Sequence, residues 1–225
     1  MPANTCDLQS CFLCKYVLPD WKEAVAVKKK TISFKKGAVI FKEGDPVEGI
    51  FFLTQGVVKV YKHWGEQREL IIRFAKAGDV LGLRGFWGKP DYPVSATCIE
   101  DASACYIPDR FLEATLQTNP AFTFRLLQLY AGELHKAEKR MRDLALMEVK
   151  GRIALVLLEI QSLFGTDDDH YIKLPVTRQD IASYAGTTYE TVFKFFTDLV
   201  AQQIISTNGK RIRINDTAAL EKFAS

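Results

Sequence analysis

Glu190 and Lys194 lie four residues apart at the front of a segment, Tyr189–Gln202, whose apolar residues Val192, Phe195, Phe196 and Leu199 recur at helical spacing. A carboxylate can accept a hydrogen bond from cytosine N4, and an ammonium can donate to guanine O6 and N7. The pair can therefore address base edges if its helix enters a major groove. Thr188, Tyr189 and Thr191 share that front. Upstream, Thr177-Arg178-Gln179-Asp180 has the form of a capping box with Asp in the Glu position, and it opens a helix with Ile181, Tyr184 and Ala185 at core spacing. Gly186-Thr187-Thr188 supplies a tight turn and a new cap between the two helices. Two helices joined by a short glycine turn form a helix-turn-helix, whose second helix reads the groove. Ile204 to Ile214 reads as two short strands flanking Asn208-Gly209, a hairpin that makes a wing. Thr177 and Arg178 at the first helix, and Lys210 and Arg211 at the wing tip, are placed for the DNA backbone. The competing reading is a plain three-helix bundle with a surface hairpin.

A second group of residues can do different chemistry. Cys6, Cys11 and Cys14 have C-x4-C-x2-C spacing, one of the patterns that holds iron–sulfur clusters. Cys105 stands apart in Ser103-Ala104-Cys105-Tyr106-Ile107-Pro108. The other reading is a mobile tail with incidental thiols, with Cys105 and Cys98 as small buried hydrophobes. His63, His135 and His170 are scattered and form no ligand spacing, and Asp167-Asp168-Asp169 reads as a solvated acidic loop. Neither a Gly-rich phosphate loop nor a nucleophile elbow nor a pair of catalytic carboxylates occurs, so no enzyme is expected.

The chain has 225 residues, enough for about two domains, with 48% hydrophobic and 25% charged residues, a soluble globular balance. Its net charge of +3 announces no polyanionic partner by itself, so any DNA argument rests on local placement of Lys and Arg. The N-terminus lacks a basic region followed by an apolar run, and no apolar stretch is long enough to cross a bilayer. A cytoplasmic protein with no membrane partner is expected, and its odd number of cysteines, five, then reads as thiols or metal ligands and not as a disulfide framework.

From about Thr31 to Ile107 short β-patterned runs alternate with glycine turns, the pattern of an all-β roll or barrel. After Pro108 the pattern turns helical. Asp109–Leu116 is a short helix, and Asn119-Pro120 caps a long one that runs to about Met147. Leu127, Tyr130, Leu134, Ala137, Met141 and Leu144 recur along it at alternating spacings of three and four. So narrow a seam calls for a partner helix, and a homodimer is expected, the competing reading being that it packs on its own β-domain. Val149–Phe164 is a further apolar helix. The fold class is α+β, with a residue 1–20 tail, a sensing β-roll over 21–118, a dimerisation helix over 119–147 and a winged helix-turn-helix over 148–225.

Several motifs in order resemble the family of the cyclic-AMP receptor protein and the fumarate–nitrate regulator. They are Lys36-Gly37, Phe41-x-x-Gly44-Asp45, Gly56, Gly78-Asp79-x-x-Gly82, Gly151-Arg152-Ile153, Thr177 to Ile181, Glu190-Thr191-Val192, Ile205-Ser206 and Gly209-Lys210. The resemblance implies a cyclic-nucleotide-binding-type β-roll, a jelly roll, that senses an effector, a palindromic double-stranded DNA operator, and RNA polymerase as a partner. It implies an effector pocket at Gly82, Leu83, Arg84, Val94, Ser95 and Ala96, with Ala137 and Glu138 on the central helix. Members that bind cyclic AMP carry Gly-Glu-Leu and Arg-Ser-Ala where this chain reads Gly82-Leu83-Arg84 and Val94-Ser95-Ala96, and a Thr-Ser pair in place of Ala137-Glu138. A cyclic phosphate would be buried unpaired there, so the effector is expected to be another molecule. The oxygen-sensing branch places its fourth cluster ligand where Cys105 stands, though its N-terminal spacing is C-x2-C-x5-C; an iron–sulfur cofactor on Cys6, Cys11, Cys14 and Cys105 is thus one alternative, and a sensory module that binds protein instead of DNA is another. In the two-state mechanism expected, the Asp143–Val149 hinge brings two recognition helices about 34 Å apart, one DNA turn.

Overall fold

The structure is a computed structural model that describes residues 11–65, 68–85, 91–173 and 176–224. Its elements, in order, begin with α1 (Phe12–Tyr16), α2 (Lys22–Lys28), β1 (Lys30–Phe34), β2 (Val39–Phe41), β3 (Gly49–Gln55), β4 (Val58–Trp64), β5 (Arg68–Ala75) and β6 (Val80–Leu81). β7 (Ser95–Cys98), β8 (Ala102–Pro108), α3 (Asp109–Thr118) and α4 (Pro120–Leu146) follow. α5 (Val149–Phe164), α6 (Arg178–Ala185), α7 (Tyr189–Ala201), β9 (Ile205–Asn208), β10 (Arg211–Ile214) and α8 (Thr217–Glu221) complete the described chain. No helix among the described residues is long and apolar enough to cross a membrane. The chain divides into two compact units, Met1–Leu134 and His135–Ser225, with the division falling within α4.

The first unit is the β-roll. Two four-stranded antiparallel sheets run β1-β8-β3-β6 and β2-β7-β4-β5. Side chains alternate across a strand, and β3 and β8 use that alternation to serve two cores at once. Phe51 and Leu53 of β3, with Ala102 and Ala104 of β8, fill the space between the sheets. Ile50 and Phe52, with Cys105 and Ile107, face the opposite way toward the helices. The β3–β4 turn requires Gly56: its φ is +84°, and a Cβ there would lie 2.4 Å from the Asp101 carbonyl oxygen.

From Cys11 to Val17 the chain is packed into a core and not the loose tail expected there. Cys11, Leu13, Cys14 and Val17 are buried with Val25, Phe122 and Leu126 against the helix-facing side of β3 and β8. The signal was present in the sequence: Leu13 and Val17 are four apart, the spacing that puts two apolar side chains on one helical face. Burying side chains such as Phe122 and Leu126 contributes on the order of 2 kcal/mol each to holding α4 on the roll.

In the second unit α5, α6 and α7 share a core of Ile153, Val156, Leu157, Ile160, Ile181, Val192, Phe195, Phe196 and Leu199, each at most 2% exposed. β9 and β10 pair with Asn208 opposite Arg211, so the loop residues are Gly209 and Lys210, one position on from the expected Asn-Gly. Gly209, at φ +59°, takes the first loop position, where a hairpin turn of this length needs a positive φ.

Candidate nucleic-acid interface and sensor pocket

The helix-turn-helix forms as its local chemistry dictates. Thr177 and Asp180 cap α6 reciprocally: Asp180 N–H donates to Thr177 Oγ1 (3.0 Å), and Thr177 N–H to Asp180 Oδ2 (3.0 Å). The Thr177 hydroxyl also donates to Asp180 Oδ2, so this half-buried side chain is committed to the cap. Gly186, in the left-handed region at φ 63° and ψ 48°, ends α6, and Thr188 Oγ1 accepts the N–H of Thr191 to start α7. Arg152 reinforces the turn. Its Nε donates to the Ala185 carbonyl (2.9 Å) and its Nη1 to the Met147 carbonyl (2.7 Å).

With the apolar stripe of α7 buried, Thr188, Tyr189, Glu190 and Lys194 are exposed, and Thr191 is half-buried beside them. Glu190 titrates below the usual carboxylate range because its own backbone N–H and the Thr188 hydroxyl bond to it, with the Lys194 charge adding to the effect. It is therefore ionised at neutral pH, an acceptor only. Arg178 lies over the Phe196 ring at 5.4 Å, and its buried Nε has no hydrogen-bond partner among the described residues. Lys210 is exposed at the wing tip.

Arg211 departs from the expectation. Its guanidinium donates to Asp167 Oδ2 (2.6 Å) and Asp169 Oδ2 (3.3 Å) and stacks 4.2 Å over Tyr171. The acidic loop is thus not simply solvated, since Asp167 also accepts the N–H groups of Asp169 and Tyr171. Burial pushes the Asp167 carboxyl up, but the Arg211 bond and the Tyr171 N–H more than offset it and hold it below its ordinary range.

In the first unit, a small pocket open to solvent is lined by Phe41, Val60, Arg73, Asp79, Val80, Leu81, Gly82, Leu83, Arg84, Tyr92, Pro93, Val94, Leu129, Tyr130 and Glu133. Gly82, Leu83, Arg84 and Val94 come together there as the resemblance implies, with Arg84 at an exposed edge. Ser95 and Ala96 lie away from that wall. Ser95 is buried, accepting the Glu43 N–H at 2.9 Å, and Ala96 is fully buried in the inter-sheet core. Ala137 and Glu138 are exposed and belong to the second unit.

Sequence reasoning missed the pocket's main cation, Arg73. It pairs with Asp79 Oδ2 (3.4 Å) and Glu133 Oε2 (3.4 Å) and donates to the Val80 carbonyl (2.7 Å). Tyr130 was expected on the outward seam. Instead its hydroxyl donates to the Leu83 carbonyl at 2.5 Å, and burial raises its pKa to about 12, so it remains a donor. Leu127, Leu134 and Met141 of the seam are 62–67% exposed, Ala137 is exposed, and Leu144 is half-buried.

Cys11, Cys14 and Cys105 all belong to one buried hydrophobic core. Cys6, the remaining member of the expected set, lies outside the described residues. Among the described residues no three His, Cys, Asp or Glu side chains converge as a metal site. Cys98 sits in the other core, and burial pushes its thiol up to about 11, leaving it inert at neutral pH.

Comparison with known proteins bears on both sites. The cyclic nucleotide-binding domain model matches residues 31–119, and the Crp-like helix-turn-helix domain model matches residues 151–223. The chain is 27% identical over 212 residues to the transcriptional activator protein anr of Pseudomonas aeruginosa, covering 93% of this chain and 86% of that one. It is 26% identical over 210 residues to a CRP-like cAMP-activated global transcriptional regulator of Mycobacterium tuberculosis, covering 92% and 94%. The solved structure of FixK2 from Bradyrhizobium japonicum superposes with a TM-score of 0.77 at 28% identity, covering 88% of this chain and 98% of that one.

Proposed function

Because the chain belongs to the CRP/FNR family of DNA-binding transcription regulators, we propose that it acts as a homodimer on a palindromic operator, with α7 in the major groove. The observation that carries this reading is the open front of α7: Glu190 is held ionised and Lys194 is exposed beside it, both on a helix fixed from behind by four buried apolar residues. Arg178 and Lys210 address phosphates, as does Arg211 once it leaves the acidic loop. Dimerisation rests on the exposed α4 seam of Leu127, Leu134 and Met141, and RNA polymerase is the further partner. Titration of the full-length protein against duplexes selected from a random pool tests the reading. Saturable binding to a two-fold symmetric site, falling steeply with salt, is expected. A monomer, or binding indifferent to sequence, would overturn it.

On this reading the effector is a molecule other than cyclic AMP. Leu83 and Val94 stand where a ribose-binding Glu and a phosphate-binding Arg would be needed, and Arg73 is already engaged by Asp79 and Glu133. Low-micromolar cyclic AMP binding by calorimetry would contradict this.

A second reading concerns the sensor, and the shared burial of Cys11, Cys14 and Cys105 favours it. With Cys6 they would hold an iron–sulfur cluster, which supplies one-electron redox chemistry when bound. The same core contains Phe122 and Leu126 of α4, so a change in how the thiols are tied repacks the helix that carries the seam. Anaerobic purification followed by a visible spectrum and an iron assay decides the matter. A brown, iron-containing protein is expected, and a colourless, iron-free one would remove the idea.

A further inference from the structure

The exposed front of α7 carries a row of residues that hydrogen-bond readout does not use. Tyr189 is 42% and Phe193 52% exposed, although the helix buries four other apolar side chains almost completely. Their rings stack on one another, with centroids 6.3 Å apart and planes 23° from parallel. Being four residues apart, they form an apolar row beside the charged row of Glu190 and Lys194, which have the same spacing. Neither aromatic ring is needed to hold α7 in its unit, since Val192, Phe195, Phe196 and Leu199 supply that packing.

In a major groove, the groups that face a protein are mostly hydrogen-bond donors and acceptors, and the largest apolar group is the C5-methyl of thymine. Phe193 has no group that can pair with a donor or acceptor. Placed against one, it would leave that base edge desolvated and unpaired, at a cost in affinity. We propose that Phe193, held by its stack on Tyr189, reads a thymine methyl next to the base pair addressed by Glu190 and Lys194. The operator then carries a thymine at a fixed position in each half-site. This assignment rests on the DNA-binding reading of α7 and adds a base to it.

Replacing thymine by deoxyuridine removes the methyl and leaves every hydrogen-bonding edge intact. The full-length protein is titrated against its selected duplex with each thymine replaced singly, and then with both symmetric copies replaced. Burying a methyl is worth roughly fourfold in affinity, so the loss should be about fourfold for one half-site and about fifteenfold for both. Phe193→Ala should still bind but treat the thymine and deoxyuridine duplexes alike, while Phe193→Leu, which keeps an apolar contact, should retain part of the discrimination. The proposal is overturned if no replacement weakens binding by more than the scatter among positions, or if Phe193→Ala discriminates as well as the parent. Should the parent bind no duplex saturably, the regulator reading falls and this assignment with it. Normal duplex binding with a flat replacement profile defeats only the assignment to Phe193.

Discussion

The two units handle their charges in opposite ways. In the β-roll, the inner of the cavity's two arginines is spent internally: Arg73 bonds to Asp79, Glu133 and the Val80 carbonyl at once, while Arg84 lies exposed at the edge. In the second unit, the residues at the front of α7 meet solvent, and Arg178 keeps a buried nitrogen without a partner among the described residues. A surface built to receive a polyanion leaves its donors open. Arg211 is the exception within the second unit, where the acidic loop already satisfies this wing cation.

The separation of the units can be broken most directly in their cores. Phe52→Ala and Phe195→Ala each empty a site no more than 2% exposed, and each should cost about 3–5 kcal/mol. If the units are energetically separate, calorimetric melting of the two variants will lower different transitions; a shift of one shared transition in both would deny the separation. Next in size, Arg73→Met should destabilise the β-roll by about 1–3 kcal/mol, because Asp79 and Glu133 lose a charged partner. Denaturant unfolding of the first unit measures this, and a neutral or stabilising result would mean that the pair contributes nothing beyond its packing.

Lys194→Ala should cost about 1–3 kcal/mol at a single base position while leaving the rest of the operator preference intact. A uniform loss across all sequences in a competition assay would assign Lys194 to phosphate instead. The smallest effect concerns the wing. Replacing Asp167 and Asp169 together by Ala frees Arg211 and should steepen the log–log salt dependence of DNA binding by about one per copy. The Asp167 carboxyl is held below its ordinary range, so the pair with Arg211 is complete above that range. It is lost only as pH falls through the depressed value, and the salt slope of the parent protein should stay constant across neutral pH.

How much was legible in the sequence follows from how far apart the partners lie. The capping box of Thr177 and Asp180, the Gly186 turn and the stripe of α7 are written within a few residues, and each element formed where its pattern stood. The wing slipped by one position because Asn-Gly and Gly-Lys both offer a glycine, and only the strand pairing of Asn208 with Arg211 selects between them. Arg73 and Glu133 are sixty positions apart in sequence, and no local pattern announces that a strand residue will meet that turn of α4. Tyr130 fitted the seam by spacing, but α4 has a second face, and the buried Phe122 and Leu126 turn Tyr130 toward the roll. Ser95 and Ala96 were taken by resemblance alone, and the packing of β7 carries both away from the cavity wall.

Arg152 joins two places that a regulator must move together. One guanidinium holds the carbonyl at Met147, where α4 gives way to α5, and the carbonyl at Ala185, where α6 gives way to the turn before α7. A rigid planar fork with fixed donor directions tolerates little independent drift at its two ends. The α4–α5 junction and the turn that precedes α7 are therefore tied through a single side chain.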